Sequence, residues 1–251
     1  MIRIYKEKDY EAMSRRAANV IAAEIIRKPD CVLGLATGTS PLGLYSELAT
    51  LNAEGRVDFA GVTTYNLDEY YPIDPANDQS YRYFMNKNLF NNVNVDMDKT
   101  HVLFGQAPDW KAECAQYDAE IEALGGIDLQ LLGIGVDGHI GFNEPAEVLD
   151  PLTHLTDLTE DTIRANSRFF ESEADVPRHA LTMGIGSILS ARRIMLIATG
   201  EAKAKAIATV LSGKLTTACP ASMLNLHSDV TILCDRAAVS LCDEATIAAL
   251  S

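Results

Sequence analysis

Asp137, His139 and Glu144 lie close together in a glycine-rich stretch, Gly133-Ile-Gly-Val-Asp-Gly-His-Ile-Gly-Phe-Asn-Glu-Pro145, and their types suit proton transfer. Histidine titrates near neutrality, and a neighbouring carboxylate fixes its tautomer and raises its basicity. Asp137 and His139 are two apart, so they share a face if the stretch is extended. Such a set could move a proton on and off a substrate oxygen. Two ordinary alternatives stand beside it: a metal site of one histidine and two carboxylates, or loop groups that only satisfy backbone amides. A second candidate is Asp68 in Asn66-Leu-Asp-Glu-Tyr70, at the end of a predicted strand. Adjacent Asp68 and Glu69 point to opposite sides of extended backbone, so at most one faces a ligand. A carboxylate there can serve as a general base. A solvated acidic turn before Pro72 is the plainer alternative.

Other residues have the chemistry of anion binding. Thr37, Gly38, Thr39 and Ser40 follow a predicted strand and open a helix at Pro41. Small residues, hydroxyls and a helix N-terminus together favour a phosphate group. The same residues also read as a plain turn, with Ser40 as N-cap and Pro41 at the first helical position. Arg168 sits beside aromatics in Asn166-Ser-Arg-Phe-Phe170, and Lys203 falls in the first turn of a predicted helix. The helix dipole opposes a lysine there unless an anion shares the site. Arginine suits bidentate phosphate contact. An exposed arginine and an exposed lysine are the alternatives. Gly133, Gly135 and Gly138 also spell G-x-G-x-x-G, with Asp157 about 20 residues on, as a dinucleotide fingerprint asks. That fingerprint needs a helix at its third glycine, and Gly141, Asn143 and Pro145 oppose one. Nicotinamide binding is rejected.

These residues hang on an alternating framework. Near-continuous apolar runs at 31–36, 62–67, 127–132, 193–198 and 230–234 predict strands covered on both faces. Helical periodicity predicts helices around 10–27, 41–53, 79–91, 109–124, 201–212 and 236–249. The fold class expected is α/β: a doubly wound, mostly parallel, Rossmann-like sheet in a single domain spanning 1–251. The stretch 140–185 breaks the alternation and is expected to be an active-site lid or hairpin. A ligand is expected at the carboxyl ends of the strands.

The formal charge of −14, from 21 Lys+Arg against 35 Asp+Glu, argues against nucleic acid and anionic membranes as partners. A few local cations can still hold a small phosphate, since distant charge is screened beyond ~8 Å. Five scattered cysteines imply neither disulfides nor zinc. The first residues lack a signal-peptide pattern and no run is long enough to span a bilayer, so a cytoplasmic protein is expected.

Taken in order along the chain, six blocks resemble the glucosamine-6-phosphate deaminase/isomerase family, within the wider group that includes 6-phosphogluconolactonases. They are residues 33–45, Asn66 to Tyr70, Gln79-Ser-Tyr-Arg-Tyr-Phe-Met85, Gly133 to Pro145, Ala165 to Phe170, and Leu181-Thr-Met-Gly-Ile-Gly186. The resemblance implies conversion of D-glucosamine 6-phosphate and water to D-fructose 6-phosphate and ammonia, with no metal or organic cofactor. By that resemblance His139 opens the sugar ring, moving protons between O5 and O1, and Asp137 and Glu144 support it. Asp68 moves the C2 proton to C1, giving a ketimine that water hydrolyses. Thr37 to Ser40, Arg168 and Lys203 hold the phosphate. Residues 146–156 depart from the pattern: they carry two acids and no Lys or Arg, where activated family members have basic residues for N-acetylglucosamine 6-phosphate. Activation by that ligand is therefore not expected, and the choice between monomer and homo-oligomer stays open. A lactonase and a non-catalytic sugar-phosphate sensor are the competing readings.

Overall fold

Short apolar strands form the centre of the computed structural model, which describes residues 1–170 and 172–250. Glu171, inside the expected lid, and Ser251 lie outside the described residues. In chain order the elements are β1 (Ile2–Glu7), α1 (Tyr10–Arg27), β2 (Val32–Leu35), α2 (Leu42–Ala53), β3 (Thr63–Asn66), β4 (Asp68–Tyr71), α3 (Tyr81–Asn88) and β5 (Thr100–His101). There follow α4 (Trp110–Ala123), β6 (Leu129–Leu132), β7 (His154–Asp157), α5 (Glu160–Asn166), β8 (His179–Thr182), α6 (Ile185–Leu189), β9 (Ile194–Ala198), α7 (Ala204–Leu211), β10 (Val230–Asp235) and α8 (Glu244–Leu250).

Seven strands pair in parallel in the order β1-β10-β9-β6-β2-β3-β5. β2, β6 and β9 are buried along their whole length, as strands with both faces covered must be. The chain runs outward from β2 through β3 to β5, then returns to place β6 on the other side of β2. Strand order therefore reverses between β2 and β6, and loops leaving their carboxyl ends diverge there to open a crevice. Helix ends follow local chemistry: Asp9 accepts from the Ala12 N–H at 2.8 Å to start α1, which buries Met13, Ala17, Ile21 and Ile25.

A second, antiparallel sheet, β4-β8-β7, sets Asp68 opposite Thr182 and Thr182 opposite His154. With α5 it covers a small apolar cluster that includes Tyr70, Ile73, Phe142, Ile163 and Val176. The stretch 140–185 thus carries strands and helix of its own rather than loop alone. No helix among the described residues is long and apolar enough to cross a membrane.

Two predicted helices change. The one expected at 79–91 starts at Tyr81, because Ser80 caps it by accepting from the Tyr83 N–H at 3.0 Å. The one expected at 236–249 begins only at Glu244. There the Asp235 carboxylate accepts from the Ala238 N–H at 2.8 Å and from the Gly200 N–H, so residues 236–240 turn instead.

Candidate functional site

A cavity of about 450 Å³ opens at the reversal point, walled by the loops after β2, β3, β6 and β9. Thr37, Gly38, Thr39 and Ser40 line it on one side. Gly38 takes a φ of 96°, a left-handed conformation that suits glycine. Ser40 is not the N-cap considered from sequence: Pro41 holds the cap position, with no side-chain bond. The exposed amide is satisfied from elsewhere, since the Gly43 N–H donates to the Tyr10 hydroxyl at 2.7 Å, which donates to Thr39 O at 3.2 Å. Residues 37–40 are thereby left to face the cavity.

Asp68 opens β4 and also lines the cavity, only 7% exposed. Burial, and then the charge of Glu69, push its carboxyl up to about 8. The neighbours do diverge as alternation requires. Glu69 points away and accepts from the N–H groups of Tyr70, Tyr81 and Arg82 at 2.9, 2.8 and 3.0 Å. Neither residue is the solvated turn considered from sequence, because both are buried.

The histidine loop is a tight turn, not extended backbone. The Gly135 N–H donates to His139 O at 2.9 Å and the Gly138 N–H to Gly135 O at 3.2 Å, with Gly138 at φ 90°. The turn still joins Asp137 to His139. Oδ1 lies 2.8 Å from Nδ1, an ion-pair distance with the ring approaching too obliquely for a linear hydrogen bond, and accepts from the His139 N–H at 3.1 Å. Burial raises the Asp137 carboxyl, but His139's side chain, charge and backbone N–H outweigh it and hold it at about 2. With Nδ1 on a carboxylate, Nε2 is the nitrogen left for a ligand in the cavity. A side chain on Gly135 would collide with the imidazole, and one on Gly141 would press on Thr182 Oγ1 at 2.9 Å and on Asp68 Oδ2 at 3.5 Å. Bare backbone at these two points brings histidine and Asp68 into one cavity.

Glu144 goes elsewhere. It is 9% exposed and accepts from the Thr159 N–H at 3.1 Å and from the Thr162 hydroxyl. Among the described residues no hydrogen bond or ion pair joins it to His139; it fastens the loop to the start of α5, where Thr159 is the N-cap. The expected Asp137–His139–Glu144 trio is thus a pair plus a tether. No group of three or more His, Cys, Asp or Glu among the described residues could hold a metal ion.

Arg168, on a 3₁₀ turn at Ser167–Phe169, and Lys203 line the same cavity. Lys203 ends a 3₁₀ turn and occupies the N-cap position of α7, one step before the first turn expected. Burial lowers its ammonium's pKa, and the charge of Asp137 partly restores it. A hydroxyl-and-glycine loop and two cations therefore stand with a carboxylate of raised pKa and a carboxylate-paired histidine around one space. Such a site can hold a phosphate while protons move at oxygen and at carbon. Tyr81, Thr162 and Asn166 also line it and went unassigned from sequence. Tyr81 and Asn166 lay within blocks named above without a role of their own, whereas Thr162, on α5, lay in a stretch with no clear periodicity. A larger cavity of about 690 Å³ is lined by Asp74, Asp78 and Asp175 with no Lys or Arg, a poor setting for an anion.

The family model described as Glucosamine-6-phosphate isomerases/6-phosphogluconolactonase matches residues 6–233. Glucosamine-6-phosphate deaminase of Halothermothrix orenii is 53% identical over 240 residues, covering 96% of this chain and 100% of that protein. Its counterpart in Clostridium perfringens is 54% identical over 240 residues, covering 96% and 99%. Among solved structures, a monomeric glucosamine-6-phosphate deaminase superposes with a TM-score of 0.93 at 44% identity, covering 95% and 99%. The 6-phosphogluconolactonase of Thermotoga maritima shares the fold at 21% identity and a TM-score of 0.72, covering 94% and 99%.

Proposed function

The chain belongs to the glucosamine-6-phosphate isomerase/6-phosphogluconolactonase family, and on that premise we propose that it converts D-glucosamine 6-phosphate and water to D-fructose 6-phosphate and ammonia. Residues 37–40, Arg168 and Lys203 hold the phosphate. His139, poised by Asp137, moves protons between O5 and O1 to open the ring. Asp68 then takes the C2 proton as the C1 carbonyl becomes an enol, and returns it at C1. The product of that step is a C2 ketimine, and water releases ammonia from it. Residues 140–185, tethered to the histidine loop through Glu144, serve as the lid that shields these steps from solvent. The enzyme is cytoplasmic and works as a monomer, like its 44% identical structural relative.

One observation carries this reading: a buried carboxylate and a carboxylate-supported histidine line the same cavity as two cations. Lactone hydrolysis needs no carbon base. The relatives above half identity are deaminases, while the lactonase shares the fold alone. Ammonia and fructose 6-phosphate should appear in equal amounts from glucosamine 6-phosphate with the wild type. Asp68→Asn should cut the rate by 10²–10⁴-fold, the range for loss of a general base. Full activity in that variant would remove Asp68 from the reaction, and lactone hydrolysis without ammonia would select the other activity.

A further inference from the structure

Glu69 is buried beside the base, and the reaction above gives it no task. We propose that Glu69 is a positioning residue for Asp68, locking the corner between β4 and α3 so that the base and the Tyr81 wall hold their places in the cavity; this rests on the reaction proposed above. One carboxylate there gathers three backbone donors. The Tyr70 N–H belongs to its own strand, and the Tyr81 and Arg82 N–H groups belong to the first turn of α3. The third open amide of that turn, at Tyr83, goes to the Ser80 hydroxyl. Glu69 is therefore both a helix cap and the clasp that fixes α3 against the strand that starts with Asp68.

The consequence reaches the cavity through two routes. Tyr81 lines it, lies 4.9 Å from Tyr70, and stacks on Phe142 of the histidine loop at 6.0 Å. Loosening α3 would shift that wall. Charge is the second route. β8 offers only Leu181 and Thr182 opposite Glu69 and Asp68. Among the described residues, the titratable and charged groups facing the pair are the phenols of Tyr70, Tyr81 and Tyr117, the Arg82 guanidinium, and His139, Arg168 and Lys203 around the cavity. Arg82 turns its guanidinium to Thr100, bonding Oγ1 at 2.9 Å and O at 2.7 Å. The like charge of Glu69 acts on Asp68 and, after burial, helps keep that carboxyl above its ordinary range.

Glu69→Gln tests this, because it keeps the side chain's shape but removes the charge and sets an NH₂ where a carboxylate oxygen meets an amide. Asp68 is followed by carboxyl NMR titration, its signal identified by its loss in Asp68→Asn. The midpoint should fall by roughly one pH unit in Glu69→Gln, the size expected of a like charge nearby in a partly screened setting. The acidic limb of kcat/KM for ammonia release should move down with it, and kcat should drop. An unmoved midpoint and limb, with only a lower melting temperature, would reduce Glu69 to a structural cap and overturn the proposal. If Glu69→Gln does not fold, Glu69→Asp carries the test: charge kept and reach shortened, it should lower kcat at least tenfold while the limb stays, and full kcat would overturn the proposal. A wild type that releases no ammonia would overturn the proposed reaction, while the carboxyl titration still decides the role of Glu69.

Discussion

Replacing Asp68 with asparagine should cut activity by about 10²–10⁴-fold and, at the same time, stabilise the fold at alkaline pH. Burial and the charge of Glu69 raise the Asp68 carboxyl from an ordinary 3.8 to about 8 in the folded protein. The folded chain therefore keeps a proton that the unfolded chain gives up between those values. Stability from this group is fully present below about pH 4 and is lost as pH rises towards 8. The slope is about 1.4 kcal/mol per pH unit, and the gap from 3.8 to about 8 sets a ceiling near 6 kcal/mol. Asparagine has nearly the shape of the protonated acid and never ionises. Glu69 titrates in both proteins and largely cancels. At about 2–4 °C per kcal/mol for a domain of this size, the melting gap in favour of Asp68→Asn should widen by about 3–6 °C per pH unit. It should be a few degrees at pH 5 and level off above pH 8. Calorimetry from pH 5 to 9, paired with ammonia assays, reads both quantities. A gap that does not change with pH, or a wild type that gains stability relative to the variant on going alkaline, would refute the reasoning. The expected trade is stability given up for a carboxylate that can act as a base.

Other outcomes follow from the same structure. Lys203→Ala should lose about 1.5–3 kcal/mol of phosphate binding, seen as a ~10- to 150-fold higher KM with a smaller change in kcat. Asp128→Ala should cost about 3–5 kcal/mol in chemical denaturation without altering KM. Its buried carboxylate bonds Lys28 at 2.8 Å and the Val32 N–H at 2.8 Å, at the amino-terminal ends of the strands, away from the cavity. Adding N-acetylglucosamine 6-phosphate should leave the rate curve unchanged, since 146–156 has no Lys or Arg; a sigmoidal curve turned hyperbolic would contradict this.

Much of the framework was legible because the inner strands are apolar throughout. β2, β6 and β9 each fall inside a predicted run, and β10 extends one residue past its own, to Asp235. β1 alternates exposed and buried residues at the sheet edge, and β5 has two residues, so neither forms such a run. The sheet β4-β8-β7 escaped for a different reason: its strands are half polar, β4 lies more than 80 residues before β8, and only the tertiary fold brings Asp68 opposite Thr182. In the site, side chains on one loop were readable from type and spacing, and Asp137 and His139 do meet, although through a turn. Partners set by distant chain were not. Nothing near Glu69 announces donors at Tyr81 and Arg82, and nothing near Glu144 announces Thr159 and Thr162. Tyr10, at the start of α1, packs against the core and also accepts from the amide at Gly43, a bond that nothing in the helical periodicity announces.

The most direct test is to follow hydrogen from C2 to C1. Glucosamine 6-phosphate deuterated at C2 is turned over in ordinary water, and the fructose 6-phosphate formed is read by NMR for deuterium at C1. Asp68, 7% exposed, should return part of the label to C1 before it exchanges, with ammonia formed in equal amount and both products formed about 10²–10⁴-fold more slowly by Asp68→Asn. Fructose 6-phosphate that carries no deuterium at C1, or ammonia released at the wild-type rate by Asp68→Asn, would contradict the account.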